Sequence, residues 1–173
     1  SMTYLNSSST YNIAWGNNAL VGNSTQPTWN TINRNIAIGE NAGKILQRDS
    51  GNASLPSDDN VIIGYNAMPS AFYNSCQNVV IGSNAGSNNF IKNCCLIGYN
   101  VASSGATNLQ NTVIIGSQSG QTVSDKGSIV CIGASNGYLS NSFTVVGSGN
   151  LTSATSGNRV CIFGSNNLNN LSV

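Results

Sequence analysis

One pattern recurs nine times along this chain. The segment NIAWGNNAL at 12–20 returns as NIAIGENAG from Asn35, NVIIGYNAM from Asn60 and NVVIGSNAG from Asn78. It continues as CLIGYNVA from Cys95, VIIGSQSG from Val113, IVCIGASNG from Ile129, FTVVGSGNL from Phe143 and VCIFGSNNL from Val160. The anchoring glycines are Gly16, Gly39, Gly64, Gly82, Gly98, Gly116, Gly133, Gly147 and Gly164, spaced by 23, 25, 18, 16, 18, 17, 14 and 17 residues. A unit of 14 to 18 residues is too short for a strand-plus-helix crossover or a propeller blade, and it suits one coil of a parallel β-solenoid.

Within each unit a short run rich in Ile and Val precedes the glycine, and an Asn- and Ser-rich segment follows it. β-branched residues bounded by turn formers predict a short strand and then a turn, with the glycine where the backbone bends. No helical period is present. The repeat also explains a composition that otherwise resembles disorder, since Asn, Ser, Gly and Thr supply 85 of the 173 residues and only 6% are charged. In-register recurrence places these small residues at the corners of coils.

The same composition excludes whole classes of function. A net charge of +1 provides no basic stripe for nucleic acid and no polybasic membrane patch. No apolar stretch approaches the roughly 18 residues of a spanning helix. The absence of His removes the commonest general base and neutral metal ligand, against triad hydrolases and most zinc enzymes. The five cysteines, Cys76, Cys94, Cys95, Cys131 and Cys161, lack paired metal-site spacing and are odd in number, so they read as small apolar residues of a chain assembled under reducing conditions.

Strand residues alternate between faces, so the residues one and three before each glycine share a side. The nearer row runs Trp15, Ile38, Ile63, Ile81, Ile97, Ile115, Ile132, Val146, Phe163. With the farther row (Ile13, Ile36, Val61, Val79, Cys95, Val113, Val130, Thr144, Cys161) it is predicted to fill the core. The row between them would then face outward. From the third unit it reads Ile62, Val80, Leu96, Ile114, Cys131, Val145 and Ile162, an apolar stripe that would need covering by copies of the chain around a symmetry axis. Two residues after the glycine, Asn18, Asn41, Asn66, Asn84, Asn100 and Asn166 recur, with Gln118 and Ser135 as substitutes. Asn tolerates the left-handed backbone of a tight corner, and stacked amides can bond as a ladder. Ala19, Ala42, Ala67 and Ala85, one position further on, suit a small inward corner.

The units NIAIGENAG, NVIIGYNAM and NVVIGSNAG resemble the repeats of the trimeric autotransporter adhesin head, the YadA-like β-roll, and those of viral and phage tail fibres. The resemblance covers nearly the whole chain. It implies an all-β, left-handed parallel β-solenoid of about nine coils assembled as a homotrimer. It departs from the bacterial pattern in its longer, irregular spacing, its bulky middle row and its cysteines. Free thiols suit assembly in a reducing compartment, which favours a fibre on a virion over the alternative, an adhesin on a bacterial outer surface that binds host matrix.

Residues 1–11 read as a lead-in whose Ser1-Met2 is an expression scar, and 12–173 as one solenoid domain with loops inserted at about 23–34, 44–59 and 68–77. Those loops hold all three prolines, and seven of the eleven charges fall between residues 34 and 59. Loops on a rigid scaffold are where recognition concentrates, and Trp29, Arg34, Arg48, Asp58, Asp59, Phe72 and Tyr73 are the candidate contacts for a host-surface glycan or protein receptor. A glycan-cleaving tailspike would need a convergent carboxylate pair; Asp58-Asp59 reads instead as a solvated turn. GENAGK at 39–44 fails the phosphate-loop spacing. The expectation is therefore a structural and attachment protein with no catalytic residues, no metal and no cofactor, and neither nucleic acid nor membrane as partner.

Overall fold

A computed structural model of the chain describes residues 8–22, 24, 31–46, 57–71, 75–87, 90–103, 108–121, 128–137, 142–150 and 161–167. Nine short strands stack in parallel into one sheet: β1 (Ile13–Trp15), β2 (Ile36–Ile38), β4 (Val61–Ile63), β6 (Val79–Ile81), β8 (Cys95–Ile97), β10 (Thr112–Ile115), β11 (Ile129–Ile132), β12 (Thr144–Val146) and β13 (Cys161–Phe163). Their register pairs equivalent residues of successive repeats, as in Ala37 with Ile62 and Leu96 with Ile114. Among the described residues a second wall is strand only where β3 (Ile45–Leu46) pairs with β5 (Ser70–Ala71) and β7 (Ile91–Lys92) with β9 (Leu109–Gln110).

The parallel β-solenoid follows from the repeat, but nine complete coils do not. One face carries nine rungs, whereas strands on the opposite wall occur in only four places among the described residues, so the chain makes about four turns and not nine coils.

The glycine column is set by close approach between rungs. At Gly39 φ is +129°, and a Cβ there would lie 2.5 Å from the carbonyl oxygen of Gly64. Only glycine suits both the conformation and the space. Just beyond, the Asn corner forms as its sequence suggests. Asn18, Asn41, Asn66, Asn84, Asn100 and Asn166 all have φ between 50° and 56°, and Gln118 and Ser135 both have 53°. The amide of Asn18 donates to Asn41 Oδ1 at 3.2 Å and that of Asn41 to Asn66 Oδ1 at 2.9 Å. Ala19, Ala42, Ala67 and Ala85 are fully buried at the next position.

The assignment of strand faces is reversed. Ile62, Val80, Leu96, Ile114, Cys131, Val145 and Ile162, expected to form an oligomer interface, are the interior of the single chain, each at most 5% exposed. The two flanking rows point outward and are half-buried or exposed. With the stripe inside, the reason for inferring a homotrimer disappears, and the structure shows one chain closing on its own core. The cause lies one residue beyond each strand. Asn35, Asn60 and Asn78 precede the strands by one position, share the parity of the middle row, and are buried at 0–1% exposure because each bonds to the next. Alternation is obeyed; polar residues simply lie on its inner side. Leu20, Leu46, Met68, Ile91, Leu109, Ile129 and Phe143 close the core at the corners and on the second wall.

Candidate interaction surface

Of the seven residues expected in recognition loops, the structure brings three together. Arg34 and Asp59 each lie five positions before a rung glycine, so stacking sets them one rung apart. Arg34 Nε donates to Asp59 Oδ1 at 2.6 Å and Nη2 to Asp59 Oδ2 at 3.0 Å, a two-pronged contact. Asp58, one residue earlier and largely buried, accepts from the Asn33 N–H at 2.7 Å and lies 3.7 Å from Arg34 Nη2. The Asp59 hydrogen bond raises the Arg34 pKa, and the same bond from Arg34 lowers that of Asp59. These charges satisfy one another and the Asn33 backbone, holding one corner to the next. Trp29, Arg48, Phe72 and Tyr73 lie outside the described residues.

A second candidate surface is the outer face of the nine-stranded sheet. At its ends Trp15 is 77% and Phe163 69% exposed, and Ile13, Ile115, Val130 and Ile132 are exposed between and beside them. No Asp, Glu, Lys or Arg occurs in either outward row. Sequence reasoning found these rows but placed them inside. It also passed over Tyr65 and Tyr99, each about half exposed directly after Gly64 and Gly98. Their only signal is that equivalent positions carry smaller or polar residues such as Asn17, Glu40 and Ser83.

All five cysteines are free thiols. Cys94 and Cys131 are buried, and burial pushes both thiol pKa values up to about 11. Burial also raises that of Cys76. Cys95 is half-buried and Cys161 exposed, both in an outward row, although their row was expected inside, while Cys131, expected on the outward stripe, is fully buried. Among the described residues no group of three or more His, Cys, Asp or Glu could hold a metal ion, and no helix is long and apolar enough to cross a membrane.

Compared with protein-family models, curated proteins and solved structures, the chain matches none. The parallel β-solenoid is consistent with YadA-like heads and with tail-fibre solenoids but is not specific to either.

Proposed function

We propose that this chain is a non-catalytic structural segment of a virion or tail fibre, packing on further copies of itself through the outer sheet face and presenting its loops to a host surface. The observation that carries the reading is the outer face itself: two in-register apolar rows without a charge, spanning nine rungs. Apolar stripes of this extent on a rigid scaffold mark an interface, and identical rows on each copy are self-complementary in chemistry. The buried free thiols Cys94 and Cys131 suit assembly in a reducing compartment, which favours a virion over a bacterial surface. Asp58 and Asp59 are engaged by Asn33 and Arg34, which argues against their acting as a hydrolytic pair.

Sedimentation tests the association. The native chain is expected to sediment at micromolar concentration as a multiple of its 17.9 kDa mass, with the multiple giving the copy number. The Ile115→Lys/Ile132→Lys variant, charged on the outer face only, is expected to sediment as a single chain with an unchanged far-ultraviolet spectrum. A native protein that sediments as a single chain would refute the reading. Retention of the assembled protein, and not of the charged variant, on host cells or glycan arrays would support attachment.

A further inference from the structure

The left-handed Asn corner, two residues after each rung glycine, carries an amide ladder over its first three rungs only. Asn18 donates to Asn41 and Asn41 to Asn66, and there the ladder stops. Among the described residues the amide nitrogen of Asn66 and the side chains of Asn84 and Asn100 make no hydrogen bond. All three residues keep the left-handed backbone of the corner and are half-buried, so these amides are neither engaged nor sealed in the core.

The same three rungs carry Tyr65, Ser83 and Tyr99 one position earlier. Backbone bonds fix this column: the Asn84 N–H donates to the Tyr65 carbonyl at 2.9 Å, Asn100 N–H to the Ser83 carbonyl at 3.0 Å and Gln118 N–H to the Tyr99 carbonyl at 2.8 Å. Each bond joins one rung to the next, so the two tyrosines stand two rungs apart, roughly 9.6 Å at the spacing of paired strands, with a small hydroxyl residue between them. Tyr65 is 52% and Tyr99 51% exposed. In the two columns that follow the glycines the only charged residue is Glu40, on the rung before Tyr65.

We propose that Tyr65 and Tyr99, with the amides of Asn66, Asn84 and Asn100, form a binding site for a neutral, extended glycan lying along the rod axis. A pyranose ring presents a face of aliphatic C–H groups bordered by hydroxyls. The C–H face packs on an aromatic ring, whose face is apolar and carries partial negative charge, and Tyr offers that area at low conformational-entropy cost. Each hydroxyl both donates and accepts, and a carboxamide supplies a partner for both in one group. Two rungs span about the length of one disaccharide repeat of an extended β-1,4-linked chain, so alternate rings meet the two tyrosines while the ring between them lies over Ser83. An anionic glycan finds no cation in these columns and meets Glu40, which disfavours it. The site rests on the attachment part of the proposed function, moving recognition from the loops to the scaffold, and does not depend on lateral packing.

Calorimetric titration of the full chain with cellopentaose and with chitopentaose tests the site, with a heparin-derived pentasaccharide as the anionic control. At least one neutral chain is expected to bind saturably and to shift the side-chain amide resonances of Asn84 and Asn100, and the anionic one is not. Tyr65→Ala and Tyr99→Ala are each expected to weaken binding about fivefold; Ala134 stands at the equivalent position of a later rung, so the fold accommodates the change. Tyr65→Phe and Tyr99→Phe should keep the affinity, and so should Tyr11→Ala, which removes an exposed ring before a strand. No saturable binding of either neutral chain would overturn the proposal, as would tighter binding of the anionic one or unchanged affinity in the folded Tyr65→Ala/Tyr99→Ala variant. A chain that sediments singly yet binds a neutral pentasaccharide refutes lateral packing and supports this site. Retention on host cells without pentasaccharide binding supports attachment and overturns this site.

Discussion

Asn60 shows how much one buried amide holds in place. Its oxygen accepts from both the backbone and the side chain of Asn78, and its nitrogen donates to the rung before and to the second wall. Asn60→Ala removes all four contacts inside the core, and a buried group left without its partner costs about 1–3 kcal/mol. The substitution is therefore expected to lower unfolding free energy by about 3 kcal/mol in urea titration. Asn93, whose amide donates to Asn111 Oδ1 at 3.2 Å on the surface, should cost only about 1 kcal/mol as Ala, mostly from its left-handed backbone. Gly39→Ala combines backbone strain with a Cβ pressed on the Gly64 carbonyl, and the same titration should show a loss of about 2–4 kcal/mol. The glycine column and the left-handed Asn corner were legible because backbone geometry restricts residue choice sharply there. The interior Asn ladder was not, since polar residues before a strand ordinarily signal solvent.

At the scale of the strand, the sequence carries the alternation and leaves its direction open. Three-residue strands such as Val61–Ile63 offer two outward positions and one inward, and all three are apolar. Counting hydrophobic residues then favours the wrong face, because the outward rows hold twice as many. Direction is decided by the neighbours of the strand: Asn60 before it, buried by its ladder, and Ala67 after it, buried at the corner. Nine rungs were readable for the same reason that nine coils were not. The strand before each glycine repeats closely, while the spacing between glycines varies from 14 to 25 residues and, among the described residues, the return path forms paired strand only at β3, β5, β7 and β9.

At the scale of the molecule, the polar corners and the apolar outer face divide the work. The corners set register along the axis through homotypic amide contacts, and the face is left uncovered by the chain itself at Trp15, Ile115, Ile132 and Phe163. Of the recognition residues anticipated, only Arg34, Asp58 and Asp59 can be placed, and they serve one another. The central claim is which side of the nine-stranded sheet is inside, and the native cysteines report on it without any engineering of the core. Cys131 lies in the inward row, fully buried, with its thiol pKa pushed up to about 11, and Cys161 lies exposed in an outward row. The measurement is site-resolved maleimide labelling by mass spectrometry on the folded Ile115→Lys/Ile132→Lys protein, where lateral packing cannot mask the face. We expect rapid modification of Cys161 and protection of Cys131 until the chain unfolds; rapid labelling of Cys131 with Cys161 protected would contradict the account.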